Sequence, residues 1–262
     1  MLDRVTRVRF VAVGDLMLDV LARGAGHAAR IRVAAGGSAA NAARVAAACG
    51  AEATAVGAVG DDAAGRLLRA ELEAAGVRPE LAVLEGEPTG TFLLVDGEIR
   101  ADRGANAAFS PGELPQRIEA GAVLVSGYLP PATVQAALAR AHAGWVALDA
   151  ARLEELPPGG DAVLANADEA RRLTGLDGVG AARELGRRYR LACVTLGPDG
   201  AIAVLDGQEA SAAPPAPADA SEPGAGDAFA AALLVGLAQG AGLEEALAEA
   251  CRRGAIAAAG RG

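Results

Sequence analysis

Short β-branched runs alternate along this chain with alanine-rich segments of helical period. Arg7 to Val13 is followed by Ser38 to Cys49, and Ala53 to Val59 by Ala63 to Ala75. The rhythm resumes with Ala122 to Val125, Ala132 to His142, Trp145 to Asp149, Asp161 to Ala165, Ala181 to Tyr189 and Ala192 to Leu196. Strand, helix, strand in this order builds βαβ units, whose sheet is mainly parallel and covered on both faces. The expected fold is α/β, a doubly wound, mainly parallel sheet sandwiched by helices, in one domain over residues 1–262. Two stretches, about 17–35 and 89–103, break the rhythm. In the second, Asp96-Gly97 separates two strand-like runs, which is a hairpin signal. Together they are expected to form a small antiparallel β lid over the carboxyl ends of the parallel strands. The Pro-, Ala- and Ser-rich stretch 210–223 reads as a loop before a final helical pattern.

A chain of 262 residues can bury one core without a staple. Its formal net charge of -9 argues against nucleic acid as a partner, because phosphate backbones call for a basic field. A bound nucleotide is compatible with it, since backbone amides and a metal ion do not enter the charge count. Cys49, Cys193 and Cys251 have no pair-like spacing and lie in apolar runs, so they read as small buried hydrophobes in a reducing compartment. The N-terminus reads as a first strand, and no apolar run approaches the length of a bilayer span. The expectation is a cytoplasmic protein with no membrane partner.

The most informative segment runs from Glu222 through Pro223, Gly224, Ala225, Gly226 and Asp227 to Phe229, straight into a helical pattern. Gly224 and Gly226 let the chain turn tightly while the free amides of a new helix point outward, an anion site. Asp227 then sits in the first turn. There it is either an ordinary dipole complement or a base beside an anion hole, as transfer to an alcohol requires. Near the start, Ala35-Gly36-Gly37-Ser38-Ala39-Ala40-Asn41 leads into a helix, and AVGAVGDDAAGRLL ends at Leu68. Alone, paired glycines before a helix mean a tight turn and a satisfied polar contact as readily as a site.

These segments, in this order and over nearly the whole chain, resemble the two signature regions of the PfkB carbohydrate kinase family, which includes ribokinase, fructokinase, 2-keto-3-deoxygluconate kinase and adenosine kinase. The resemblance implies a kinase that uses ATP and Mg²⁺ and phosphorylates a hydroxyl of a sugar or sugar acid. It assigns Asp19, Gly36, Gly37 and Asn41 to the sugar, with Asn106 in the Gly104-Ala105-Asn106 segment after the lid hairpin. Tyr128 stands where ribokinase would have a glutamate reaching the sugar, and Arg103 is placed to meet a carboxylate or phosphate on the substrate. Thr195, Gly197 and Gly200 match the nucleotide-binding turn. Asn166 and Glu169 match the N-x-x-E motif of the magnesium and phosphate region. Their i, i+3 spacing at a strand-to-helix junction suits ordering waters around a hard cation. Gly224, Ala225 and Gly226 match the anion hole, and Asp227 the base.

Two departures stand out. Ser221-Glu222-Pro223 replaces the family's Asp-Thr-Thr, whose Asp supports a monovalent-cation loop, so potassium activation is not carried over. Ser38 replaces a common lysine. Three other readings stay open: a nucleoside kinase of the same family, a sugar- or nucleotide-binding pseudokinase, and, weaker, a dinucleotide-binding dehydrogenase, for which the G-x-G-x-x-G spacing is missing. The lid edges suggest pairing across a homodimer. The sequence leaves open how the adenine pocket is closed.

Overall fold

The computed structural model describes residues 7–24, 26–215 and 223–260. In chain order the first elements are β1 (Arg9–Val13), β2 (Met17–Arg23), β3 (Arg30–Gly36), α1 (Ser38–Ala48), β4 (Glu52–Gly60), α2 (Ala63–Ala74) and β5 (Arg78–Leu84). Next come β6 (Gly90–Val95), β7 (Glu98–Asp102), α3 (Ala105–Ala108), β8 (Ile118–Ser126), α4 (Pro131–Arg140) and β9 (Ala141–Asp149). The chain continues with β10 (Ala162–Asn166), α5 (Ala167–Thr174), α6 (Gly178–Gly186), β11 (Leu191–Thr195), β12 (Ala201–Leu205), β13 (Gln208–Ala212), α7 (Ala225–Ala238) and α8 (Leu243–Ala258).

Nine strands form the main sheet in the order β13-β12-β11-β10-β9-β8-β1-β4-β5. Every pairing from β11 to β5 is parallel, and β12 and β13 add an antiparallel edge. This is the expected doubly wound architecture. The strand order reverses at β1, from which the chain moves first to β4 and β5 and then to β8 on the other side. Crevices at such switch points, outside the carboxyl ends of the strands, are where open α/β sheets bind ligands.

Alternation along β1 shows why both faces are covered. Phe10 and Ala12 pack into one buried cluster, with α1, α2, α7 and α8, while Val11 and Val13 pack into another, with Phe109 and α4. A third cluster lies under α5 and α6. Helix α7 is apolar nearly all round and buried along its length, which fits a helix with packed neighbours on several sides. Each fully buried Leu in it contributes roughly 1.5–3 kcal/mol.

The lid is a second sheet of four strands, β3-β2-β6-β7. Both of its hairpins are antiparallel as expected, but they join through β2 and β6, which run parallel. The Asp96-Gly97 turn has positive φ at both residues, 48° and 92°, as a tight two-residue hairpin needs. Asp62 ties the start of α2 to the entry of β6: it caps α2 through the Gly65 amide and accepts from both the amide and the hydroxyl of Thr89. The helical reading of 132–142 ends early, because β9 already begins at Ala141. Ser221 and Glu222, which carry the departure from the family's cation loop, lie outside the described residues. Among those described, no helix is long and apolar enough to cross a membrane.

Candidate active site

The carboxyl ends of β1, β8, β9, β10 and β11 present Asp15, Tyr128, Asp149, Asn166 and Thr195 on one side of the sheet. The start of α7 packs against them. Gly224 caps that helix in the left-handed region, φ 96°, and a Cβ there would come within 2.9 Å of the Asn41 amide. At Gly226, by contrast, a Cβ would meet no atom of the described residues within 4 Å. Packing against the described residues does not call for a glycine there.

Asp227, half-buried in that first turn, accepts a hydrogen bond from Nδ2 of Asn41 at 3.1 Å. The other end of that amide is also taken, Oδ1 accepting from the Arg44 guanidinium at 2.8 Å. Burial above all, with Asp19 and Asp15 adding to it, raises the Asp227 pKa to about 7 against the opposing pull of the Asn41 hydrogen bond and Arg44. Burial likewise raises Asp19 to about 6, against Arg44 and Arg32. The Asp19 carboxyl lies so close over Gly36 that any Cβ there would overlap it. Gly37, φ 88°, turns the chain into α1 against the Asp15 carbonyl.

Three cavities meet around this helix start. One of about 190 Å³ is lined by Tyr128, Asp149, Asn166, Glu169, Thr195 and Asp227, among others. A second, of about 120 Å³, continues past Gly226 along Thr195, Gly197, Gly200, Phe229 and Cys251. A third, of about 420 Å³, opens on the lid side between Asp19, Arg32, Asn41, Arg44 and Gly224. Gly224 lines both the lid-side space and the space beside β10 and β11, while Asp227 lines the latter and reaches the former through its hydrogen bond to Asn41, an arrangement that suits transfer between two bound molecules.

Asn166 and Glu169 are adjacent as expected, but they also form a capping box on α5. Asn166 Oδ1 accepts from the Glu169 amide at 2.9 Å, and Glu169 Oε2 from the Asn166 amide at 2.8 Å. One Glu169 oxygen is left for a cation or its waters. Among the described residues no three His, Cys, Asp or Glu side chains come together as a metal site.

Other expected residues are placed differently. Asn106 is fully buried and its amide is committed to the chain, Oδ1 accepting from the Leu16 amide and Nδ2 donating to the Leu16 and Arg103 carbonyls. It joins the end of the lid to the floor and lines no cavity described above. Arg103 bridges to the buried Asp15 at 3.1 Å and donates to the Tyr128 carbonyl, strapping lid to floor. Its Nε is buried with no hydrogen-bond partner among the described residues. Tyr128 lines the cavity of Asn166 and Glu169 instead of the lid-side one.

Sequence reasoning passed over Asp15, Arg44 and Asp149. Asp149 faces the same cavity as Asp227, and burial, with Asp227 and Glu169 nearby, raises its pKa well above the usual carboxylate range. Its position at the end of a parallel strand was the available signal.

The family model of the pfkB family carbohydrate kinases matches residues 9–262. Among solved structures, the chain resembles Arabidopsis thaliana ribokinase complexed with ribose and ATP at 25% identity and TM-score 0.79, over 96% of this chain and 92% of that one. The adenosine kinase of Sinorhizobium meliloti matches at 24% identity and TM-score 0.78, over 97% and 93%. The fructokinase of Vibrio cholerae O395, in a form with fructose, ADP and calcium ion bound, matches at 22% identity and TM-score 0.79, over 96% and 93%.

Proposed function

This chain belongs to the pfkB family of carbohydrate kinases, and from that premise we propose that it moves the γ-phosphate of ATP onto a hydroxyl of a sugar or sugar acid, with Asp227 as the base. The observation that carries the reading is the placement of a carboxylate of pKa about 7 at the start of α7, lining the cavity beside β10 and β11 and hydrogen-bonded to Asn41 on the wall of the lid-side cavity. A base poised near working pH takes a proton efficiently and is still ionised when the acceptor arrives.

In this reading the acceptor lies under the lid against Asp19, Gly36, Gly37 and Asn41. The nucleotide lies along Thr195, Gly197 and Gly200. Asp227 takes the hydroxyl proton as the oxygen attacks the γ-phosphorus, and the bond to the bridging oxygen breaks with its electron pair leaving on ADP. The amides of Ala225, Gly226 and Asp227 face the charge that spreads over the transferring group. Mg²⁺ bound with the nucleotide would be held through water by Glu169 and Asn166 and would neutralise phosphate charge. Arg103, held by Asp15 and the Tyr128 carbonyl, would steady the end of the lid near the acceptor. We place the protein in the cytoplasm, as a homodimer paired through the lid.

The test is ADP release with Mg-ATP against ribose, fructose, 2-keto-3-deoxygluconate, other sugar acids and nucleosides. Turnover on a sugar or sugar acid is the expected result. Turnover on nucleosides alone would transfer the weight to a nucleoside kinase, and silence with ATP still bound would favour a binding protein. Asp227→Asn is expected to bind both ligands while turnover falls by roughly 10²–10⁴; near-normal turnover removes Asp227 from its role.

A further inference from the structure

Three residues on two distant elements form one line. The Arg44 guanidinium donates to Oδ1 of Asn41, and Nδ2 of the same amide donates to Oδ2 of Asp227. Asn41 and Arg44 lie at i, i+3 on α1, so their side chains share a face, while Asp227 arrives from the start of α7. We propose that Arg44 is a positioning residue for the base, locking the Asn41 amide so that its N–H group always faces Asp227. The proposal rests on the reading of Asp227 as the base.

The chemistry is that of an amide with two different ends. A carboxylate can only accept, and a guanidinium can only donate. With both in place, the amide has one orientation that satisfies its neighbours. Once Asp227 is protonated, its O–H could instead donate to the amide oxygen, if the amide turned over. Arg44 opposes that turn, because the turn would set N–H against N–H. The lock therefore favours the ionised form of Asp227, in addition to the attraction of the positive charge itself.

The surroundings are consistent with a role beyond a surface charge. Arg44 is partly buried, on the wall of the lid-side cavity. Burial lowers its pKa, while Asp19 of β2, Glu71 of α2 and Asp227 of α7 raise it and Arg32 of β3 opposes them. Asp227 is faced in turn by Asn41 and Arg44 of α1, Asp19 of β2 and Asp15 after β1. On its far side stand Asp149 of β9, Tyr128 after β8 and, beyond Asp149, Glu169 of α5. Arg103 and Arg152 face Asp15, Arg152 also faces Tyr128, and Arg32 faces Asp19. Arg44 is the cation that also holds the hydrogen-bond partner of Asp227.

The experiment follows Asp227 itself by carbon-13 carboxyl NMR titration of the apo protein, and so is read whether or not any acceptor has been found. Arg44→Met is expected to raise the Asp227 midpoint by about one unit, a tenfold change in the ionisation constant. Arg44→Lys should restore most of the charge effect. Arg44→Gln keeps a donor toward the amide oxygen without the charge, and should fall between Met and wild type. With an active acceptor, the acid limb of kcat/KM should move by the same interval while KM for ATP stays within about twofold. An unmoved Asp227 midpoint in both the Met and Gln proteins overturns the proposal, even if thermal stability falls. A silent acceptor panel with a moved midpoint would count against the kinase reading and leave the hydrogen-bonded lock on Asp227 standing, without its catalytic purpose.

Discussion

Asp227 is raised to about 7 chiefly because burial penalises its charge, and that shift has a cost in stability with a definite sign. A carboxyl group whose folded pKa lies above its unfolded value binds its proton more tightly when folded. Its contribution is therefore fully present below about pH 4 and is lost as pH rises through 7. Asp227→Asn should accordingly match wild type in thermal midpoint near pH 4 and exceed it at pH 8 by a few degrees. Calorimetry at the two pH values checks this, and equal midpoints at both would contradict the assigned burial cost. Wild-type kcat/KM should fall as pH drops through about 7, because the base must be ionised. At this scale the sequence was uneven. Asp227 and its glycines were legible, since an anion site is local: a turn, free amides and a first-turn acid are neighbours in the chain. Asn41 was legible as a site residue but not as the partner of Asp227, and Arg44 passed as one charge on an alanine-rich helix. Their connection spans 186 positions and exists only once α1 and α7 pack together.

Asn166 and Glu169 show how an element can hide two roles in one motif. Their capping box ties down the start of α5, and the same pair is the one proposed to hold a cation through water. The roles separate by substitution. Glu169→Gln keeps an oxygen for the Asn166 amide and so preserves the cap, whereas Glu169→Ala loses it at about 1 kcal/mol. The expected outcome is that Gln leaves the denaturation midpoint nearly unchanged yet raises the Mg²⁺ concentration needed for half-maximal turnover, while Ala lowers both stability and activity. An unchanged magnesium requirement in the Gln protein would leave the pair as a cap alone. Elements with strong local chemistry were readable, such as the Asp96-Gly97 hairpin. The Asp206-Gly207 turn between β12 and β13 carries the same signature, with positive φ at both residues, 49° and 82°. Strand β5 was not read, because Arg78-Pro79-Glu80 looks like a loop and its pairing comes from β4 beside it. The parallel joint between β2 and β6 is likewise a tertiary choice that neither hairpin specifies.

At the scale of the whole molecule, the lid sheet is asymmetric in a way that points to a second copy. Leu21 and Arg32, which are register partners on β2 and β3, line the lid-side cavity, so that face of the sheet looks into the site. The opposite face carries Val33, Val20 and Leu93 in one cross-strand row and Ile31, Ala22 and Val95 in the next. Ile31 is 66% exposed and Val33 46%, and no helix of the described chain covers the row. Strands β3 and β7 are also free edges. Exposed β-branched rows beside unpaired edges invite association unless something covers them. A two-fold mate would set its own copy of this patch against it, which closes the assembly at two copies. Light scattering should therefore give twice the chain mass for the wild type. Ile31→Glu together with Val33→Glu should give a monomer whose circular dichroism is unchanged, because neither side chain belongs to the core. A wild-type monomer at working concentration would refute the pairing. A charged double variant that stays dimeric would move the interface away from this face of the lid.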